Sequence, residues 1–291
     1  MIDLLLEPFG YQYMIKAIAA CALVGGVCAF LSVYLMLKGW SLMGDALAHS
    51  IVPGVALAHL LALPYAIGAF FAGILASFSM AIVKQKTKLR EDAIIGLIFT
   101  TFFAIGLLLV SINPTAVNIQ AIILGNILAI SDYDLIQVTI ISIICLIVLT
   151  LKWKDLMAVF FDEKHAHSIG LPVQALKITF FTLLSAACVA ALQTVGACLV
   201  IAMVVTPGAT AYLLTDKFTK LILIAIALGT LTSGFGAYLS FFINANPGGL
   251  IVSLQTLIFL SAYLCAPKYG IINTKRNVYK IKQYQKGANN G

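Results

Sequence analysis

Apolar residues in this chain come in long runs, and they do not alternate with polar ones. From near the amino terminus to about residue 266, stretches with few or no charges recur, each bounded by a short polar or Gly/Pro-bearing connection. Runs of about 20 apolar residues match a hydrocarbon layer roughly 30 Å thick, so the pattern predicts membrane-spanning helices. About nine spans are expected, near 12–37, 41–61, 64–83, 92–112, 134–151, 172–191, 194–214, 219–244 and 248–266. A shorter apolar piece, about 117–130, is too short to cross and is expected to be a re-entrant or interfacial helix. The predicted fold is an all-α polytopic membrane protein. One transmembrane bundle fills 1–267, and a polar, basic tail over 268–291 is expected to be poorly ordered.

Composition agrees. The chain is 62% hydrophobic and only 10% charged, against about 25% charged residues in soluble domains. The net charge of +7 does not point to nucleic acid, because the basic residues collect in a few loops and the tail. Lys84, Lys86, Lys88 and Arg90 follow the third span, Lys152, Lys154 and Lys164 the fifth, and Lys217 and Lys220 flank the turn after the seventh. The opposite connections hold no Lys or Arg, so the amino terminus is expected outside and the carboxyl terminus in the cytoplasm. The first apolar run is too long for the core of a cleavable signal peptide and lacks a basic segment before it, so none is expected. The six cysteines lie in or at the ends of apolar spans without a CxxC pair and read as small buried hydrophobes.

Against this background Asp45 stands out as the one acidic residue away from a membrane boundary. A carboxylate inside an apolar span is costly and usually faces a cavity with a partner. His49 follows four residues later, on the same helical face. Mixed oxygen and nitrogen donors suit Mn²⁺, Fe²⁺ or Zn²⁺ better than Ca²⁺ or Mg²⁺. Two ligands are too few for a selective site, and a two-fold dimer would supply two of each. Pro53 lacks the amide that would bond the His49 carbonyl, so a bend is expected just beyond the pair. Thr206-Pro207-Gly208 is expected to break the seventh span in the same way. His59, near the outer end of the second span, reads either as a further metal ligand at the mouth of the path or as an interfacial side chain that snorkels.

The stretch from Asp155 to Pro172 is the longest connection before the tail, and it mixes charges with Phe160 and Phe161 before stopping at Gly170 and Pro172. Exposed aromatics on a short helix there would form a docking surface. His165 and His167 point apart at alternate spacing and read as surface residues. The chain has no Walker A sequence, Gly-rich nucleotide loop or nucleophile elbow.

The run from Gly39 to Leu57 (GWSLMGDALAHSIVPGVAL) resembles the signature of the ABC-transporter permeases for manganese, iron and zinc, the ABC-3 family. The resemblance extends from about 10 to 267, with the 155–171 connection, the Thr206-Pro207-Gly208 motif and the Asn246-Pro247-Gly248-Gly249 turn falling at family positions. It implies a bundle of the vitamin B12 permease type (a type II importer) in a bacterial plasma membrane, the inner membrane where there are two. It implies three partners: a second permease chain, identical or paralogous, a cytoplasmic ATP-binding subunit and an extracytoplasmic metal-binding protein. ATP hydrolysis would belong to the partner, and the chain would be no enzyme. No cofactor would be permanently bound, and a divalent metal would be cargo. Asp45 and His49 would line the pore, and the connection carrying Phe160, Phe161, Asp162, Glu163, His165 and Gly170 would rest on the ATPase. Val-Pro-Gly-Val-Ala after His49-Ser50 resembles the manganese and iron branch more than the zinc branch. Some relatives carry an acid near the outer end of span eight where this chain reads Phe242-Ile243-Asn244-Ala245-Asn246, so a third carboxylate ligand is not expected there. Two other classes fit the bare residues: a proton-coupled secondary metal transporter using Asp45 and His49 as a relay, and an intramembrane metalloenzyme.

Overall fold

The computed structural model describes residues 6–40, 42–112 and 127–266. The expected interfacial piece falls largely on 113–126 and the basic tail on 267–291, so both lie outside the described residues; of the piece, only a turn of 3-10 helix at Ile127–Ala129 is seen. Among the described residues every regular element is helical. The α-helices are α1 (Gln12–Lys38), α2 (Met43–Ser50), α3 (Val52–Leu60), α4 (Tyr65–Lys86), α5 (Glu91–Ile112), α6 (Asp132–Phe161), α7 (Glu163–Ser168), α8 (Val173–Val195), α9 (Ala197–Leu214), α10 (Phe218–Ile243) and α11 (Pro247–Cys265).

Seven of these helices are long and apolar enough to cross a bilayer: α1, α4, α5, α6, α8, α10 and α11. The expected count of about nine is not confirmed among the described residues, and two of the expected runs look different from a single long helix. The run 41–61 folds as two short helices, α2 and α3, of 8 and 9 residues. The run 194–214 forms α9, a helix of 18 residues that begins only at Ala197. The expected end of the fifth span is corrected by α6. It does not stop near 151 but continues through Lys152, Trp153, Lys154 and Asp155 to Phe161, so half of the expected connection is helix end.

The core is organised around α1, which packs against α6, α8, α9 and α10 and buries sixteen residues. Apolar side chains gain nothing from leaving lipid for protein, so close backbone approach and hydrogen bonds hold such bundles together. The α1–α10 crossing shows this: a Cβ on Gly25 would lie 2.6 Å from the Gly229 carbonyl oxygen, and one on Gly229 2.5 Å from that of Gly25. The α3–α4 crossing is tighter still, with a Cβ on Gly54 2.1 Å from the Gly68 oxygen. α1 ends where Gly39 turns left-handed at φ 72°, and the Trp40 amide closes the turn on the Leu35 carbonyl at 2.8 Å. Asn246 starts α11 by accepting the amides of Gly248 and Gly249 on its side chain.

Pro207 does not break its helix; α9 runs through it. Ser32 of α1 explains why. Its hydroxyl accepts the Gly208 amide at 2.9 Å and donates to the Val205 carbonyl at 3.0 Å, so the backbone groups disturbed next to the proline are met by a side chain from the neighbouring helix. The absent Cβ of Gly208 allows that approach, since one there would fall 2.3 Å from Ser32 Oγ.

Candidate metal site

α2 is nearly enclosed. Met43, Gly44, Ala46, Leu47, Ala48 and Ser50 are buried against neighbouring helices. One stripe escapes, carrying Leu42, Asp45, His49 and Val52 at the i, i+3, i+7, i+10 spacing of a single helical face. The only two ionisable side chains of α2 thus lie on the face its own fold leaves uncovered. Imidazole and carboxylate are in contact: His49 Nδ1 is 2.9 Å from Asp45 Oδ1 and 3.1 Å from the Asp45 carbonyl oxygen. Both neighbours of Nδ1 are acceptors, which favours the tautomer with its proton there. The Nε2 lone pair and the second carboxylate oxygen then remain for an ion, the arrangement in which a carboxylate orients a metal-binding histidine.

α5 supplies the wall. Phe99 and Phe103, one turn apart, present themselves to the His49 ring at 5.3 and 5.5 Å in edge geometry and stack on each other at 6.0 Å. They exclude water from one side of the imidazole, which strengthens any charge interaction made there. Sequence reading missed them, since an i, i+4 aromatic pair in an apolar run looks the same facing lipid or facing a histidine.

The chain does break between α2 and α3, with Pro53 the second residue of α3. Pro53 cannot donate to the His49 carbonyl one turn back. α5 lies directly across the break: a Cβ on Gly106 would come within 2.9 Å of the Pro53 nitrogen. His59, at the far end of α3, is not brought to Asp45 and His49. Its Nδ1 is 2.9 Å from the Tyr65 hydroxyl, and no cluster of three or more His, Cys, Asp or Glu forms among the described residues.

The residues expected to meet an ATPase divide into two groups. Phe161 is 78% exposed, and Asp162, His165 and Gly170 are exposed as well. Asp162 caps α7, accepting the amides of Lys164 and His165 at 2.9 and 3.1 Å. The hydrogen bond from the His165 amide, joined by that from Lys164, holds its carboxyl below the usual aspartate range. Gly170 ends the segment at φ 82°. Phe160 and Glu163 turn inward instead. Phe160 is 2% exposed and packs on Phe180, Tyr34 and Trp40, which removes it from any docking surface. Glu163 pairs with Lys177 at 2.6 Å and Lys38 at 3.1 Å. Burial alone would raise its carboxyl, but the two lysines outweigh that and hold it below the ordinary 4.5.

Residues 10–266 match the model of the ABC 3 transport family. The chain is 66% identical to the chelated iron transport system membrane protein YfeC of Yersinia pestis, over 94% of each chain. It is 48% identical to the manganese transport system membrane protein MntB of Synechocystis, over 92% of this chain and 88% of that one. Among solved structures, PsaBC from Streptococcus pneumoniae in complex with Fab superposes at a TM-score of 0.84 with 31% identity, covering 94% of this chain and 100% of the other.

Proposed function

This chain belongs to the ABC 3 transport family, and we propose that it is the permease of an ATP-driven importer that carries Fe²⁺ and Mn²⁺ across a bacterial plasma membrane. One observation carries the reading. The Asp45–His49 pair lies on the single unburied stripe of α2, walled by Phe99 and Phe103. Two such stripes facing each other across a two-fold axis give two carboxylates and two imidazoles, a mixed oxygen and nitrogen set suited to Mn²⁺ and Fe²⁺. Open water positions on the ion keep it weakly held, as a transported species must be.

In this reading the α7 end of the bundle faces the cytoplasm. Phe161 and the exposed face of α7 meet the ATP-binding subunit, and an extracytoplasmic protein delivers metal at the other end. The named relatives include iron and manganese systems, which supports Fe²⁺ and Mn²⁺ over Zn²⁺. The test is uptake into vesicles holding the permease with its ATPase and binding protein, with Mn²⁺, Fe²⁺ and Zn²⁺ in competition. ATP-dependent accumulation of Mn²⁺ and Fe²⁺ that excess Zn²⁺ slows without replacing is expected. Uptake driven by a proton gradient and indifferent to ATP would refute the reading.

A further inference from the structure

At the α7 end of the bundle, five charged side chains and one indole tie five helices and a linker together. Glu163, the first residue of α7, is gripped by Lys38 from the end of α1 and Lys177 from α8. Glu91, the first residue of α5, is gripped by Lys84 from the end of α4 and by the Nε1–H of Trp40. Lys84 also lies 5.4 Å over the Trp40 ring. Trp40 is 6% exposed, stacked on Phe181 of α8 and edge-on to Phe160 of α6, each at 5.7 Å.

Lys38 and Trp40 are two residues apart, with left-handed Gly39 between them. One three-residue segment therefore holds both attachment points: Lys38 reaches α7, which follows the exposed Phe161, and Trp40 reaches α5, which walls the metal ligands. Asp45 follows five residues after Trp40, on the helix this segment leads into. The grip on Glu163 is not a loose surface contact, since the Lys38 and Lys177 side chains are only 22% and 18% exposed. Close-packed joints do not slide, because every displacement meets an occupied volume. This joint has room. A half-open cleft of about 270 Å³ lies between the two charge clusters and is lined by Trp40, Met43, Met80, Glu91, Glu163 and Phe181, among others.

We propose that Lys38-Gly39-Trp40 is the lever that ties movement of α7 to the orientation of α2, with Glu163 and Trp40 as its positioning residues. This rests on the proposed importer reading, in which α7 meets the ATPase. A pull on Glu163 is passed to Lys38, Gly39 supplies the pivot, and Trp40 moves in the adjoining cleft, turning the first residues of α2. Neither residue touches the metal; both act on the helix that holds Asp45 and His49.

The experiment uses the assembled complex with its ATPase and binding protein. Glu163→Gln keeps the size and removes the charge; Trp40→Phe keeps the aromatic packing and removes the donor to Glu91. The readout is metal imported per ATP hydrolysed. Each variant is expected to lower that ratio by about 5-fold or more, the lower end of ordinary site-to-site coupling. The double variant should fall no further than the worse single, because both cut one connection. An unchanged ratio, or losses that multiply, would overturn the lever. A second measurement stands even where Glu163→Gln assembles poorly: Trp40 emission, taken as the difference between complexes with and without Trp40→Phe, should shift on ATP binding, and its failure to shift overturns the proposal. If the unmodified complex imports no metal under ATP, the importer reading fails; if it imports metal and the variants stay coupled, the lever alone fails.

Discussion

Two prolines interrupt apolar helical stretches of this chain, and only one of them breaks its helix. At Pro207, α9 continues because Ser32 fills in from α1, accepting the Gly208 amide and donating to the Val205 carbonyl. At Pro53, among the described residues, no such side chain enters; the run separates into α2 and α3, and α5 lays Gly106 against the junction. The lesson is that proline removes a donor but neighbours decide the outcome. A polar side chain within reach gives a continuous, pinned helix, and a bare glycine surface gives a joint. The pinned proline lies in the packed centre. The jointed one follows the Asp45–His49 pair by one turn.

If that contrast is between a functional joint and a structural pin, substitutions around the two prolines should separate transport from stability. The largest effect is expected at the ligands. Asp45→Asn and His49→Ala should each reduce metal uptake by at least about 100-fold, beyond what loss of an orienting partner costs, while the complex still assembles. Uptake per assembled complex checks this, and near-normal transport by either variant would take the pair off the path. Next comes Gly208→Ala. Its methyl would meet Ser32 backbone at 2.8 Å as well as the hydroxyl, so the helices must part. About 2–3 kcal/mol of stability should be lost, read as folded yield and melting temperature, with uptake per folded complex unchanged.

Pro53→Ala should produce the opposite signature. The restored amide can bond the His49 carbonyl and fuse α2 with α3, raising stability by a few tenths to about 1 kcal/mol while uptake per folded complex falls roughly tenfold. Unaltered normalised uptake would reduce Pro53 to a packing residue. The smallest effect is expected for Ser32→Ala, which leaves the Gly208 amide and the Val205 carbonyl without their cross-link. Hydrogen bonds between membrane helices are worth about 0.6–2 kcal/mol, so a modest fall in melting temperature without a transport defect should follow. A large transport defect there would mean that the α9 proline also moves.

How far this was legible in the sequence differs between the two sites. The Asp45–His49 spacing could be read directly, because i and i+4 share a face whatever surrounds the helix. The long runs forecast α1, α4, α5, α8, α10 and α11 for the same local reason. What surrounds a helix could not be read. Phe160 and Phe161 are adjacent aromatics of one chemical type, yet one is core and the other exposed, and only the position of α8 decides which. Phe99 and Phe103 gave no signal, since in an apolar span the lipid-facing and protein-facing sides have the same composition. Trp40 and Glu91 meet across 51 positions of sequence, beyond any local pattern. The fate of Pro207 depended on a serine 175 residues earlier in the numbering, 207 against 32.

The uninterrupted course of α6 has one more consequence. Its 30 residues make a rod about 45 Å long. The uncharged part, Tyr133 to Leu151 apart from Asp134, accounts for roughly 28 Å, close to the oily thickness of a bilayer. The last ten residues, Lys152–Phe161, therefore project about 15 Å further, whereas the headgroup layer on one side is only about 5–8 Å deep. With α6 upright in a bilayer, α7 and the Phe161 side chain would stand beyond the headgroups. A protein that docks there has no phosphates to push aside and no membrane curvature to follow, so its grip on the permease is set by protein surface alone and is expected to be indifferent to the lipids in which the permease is embedded.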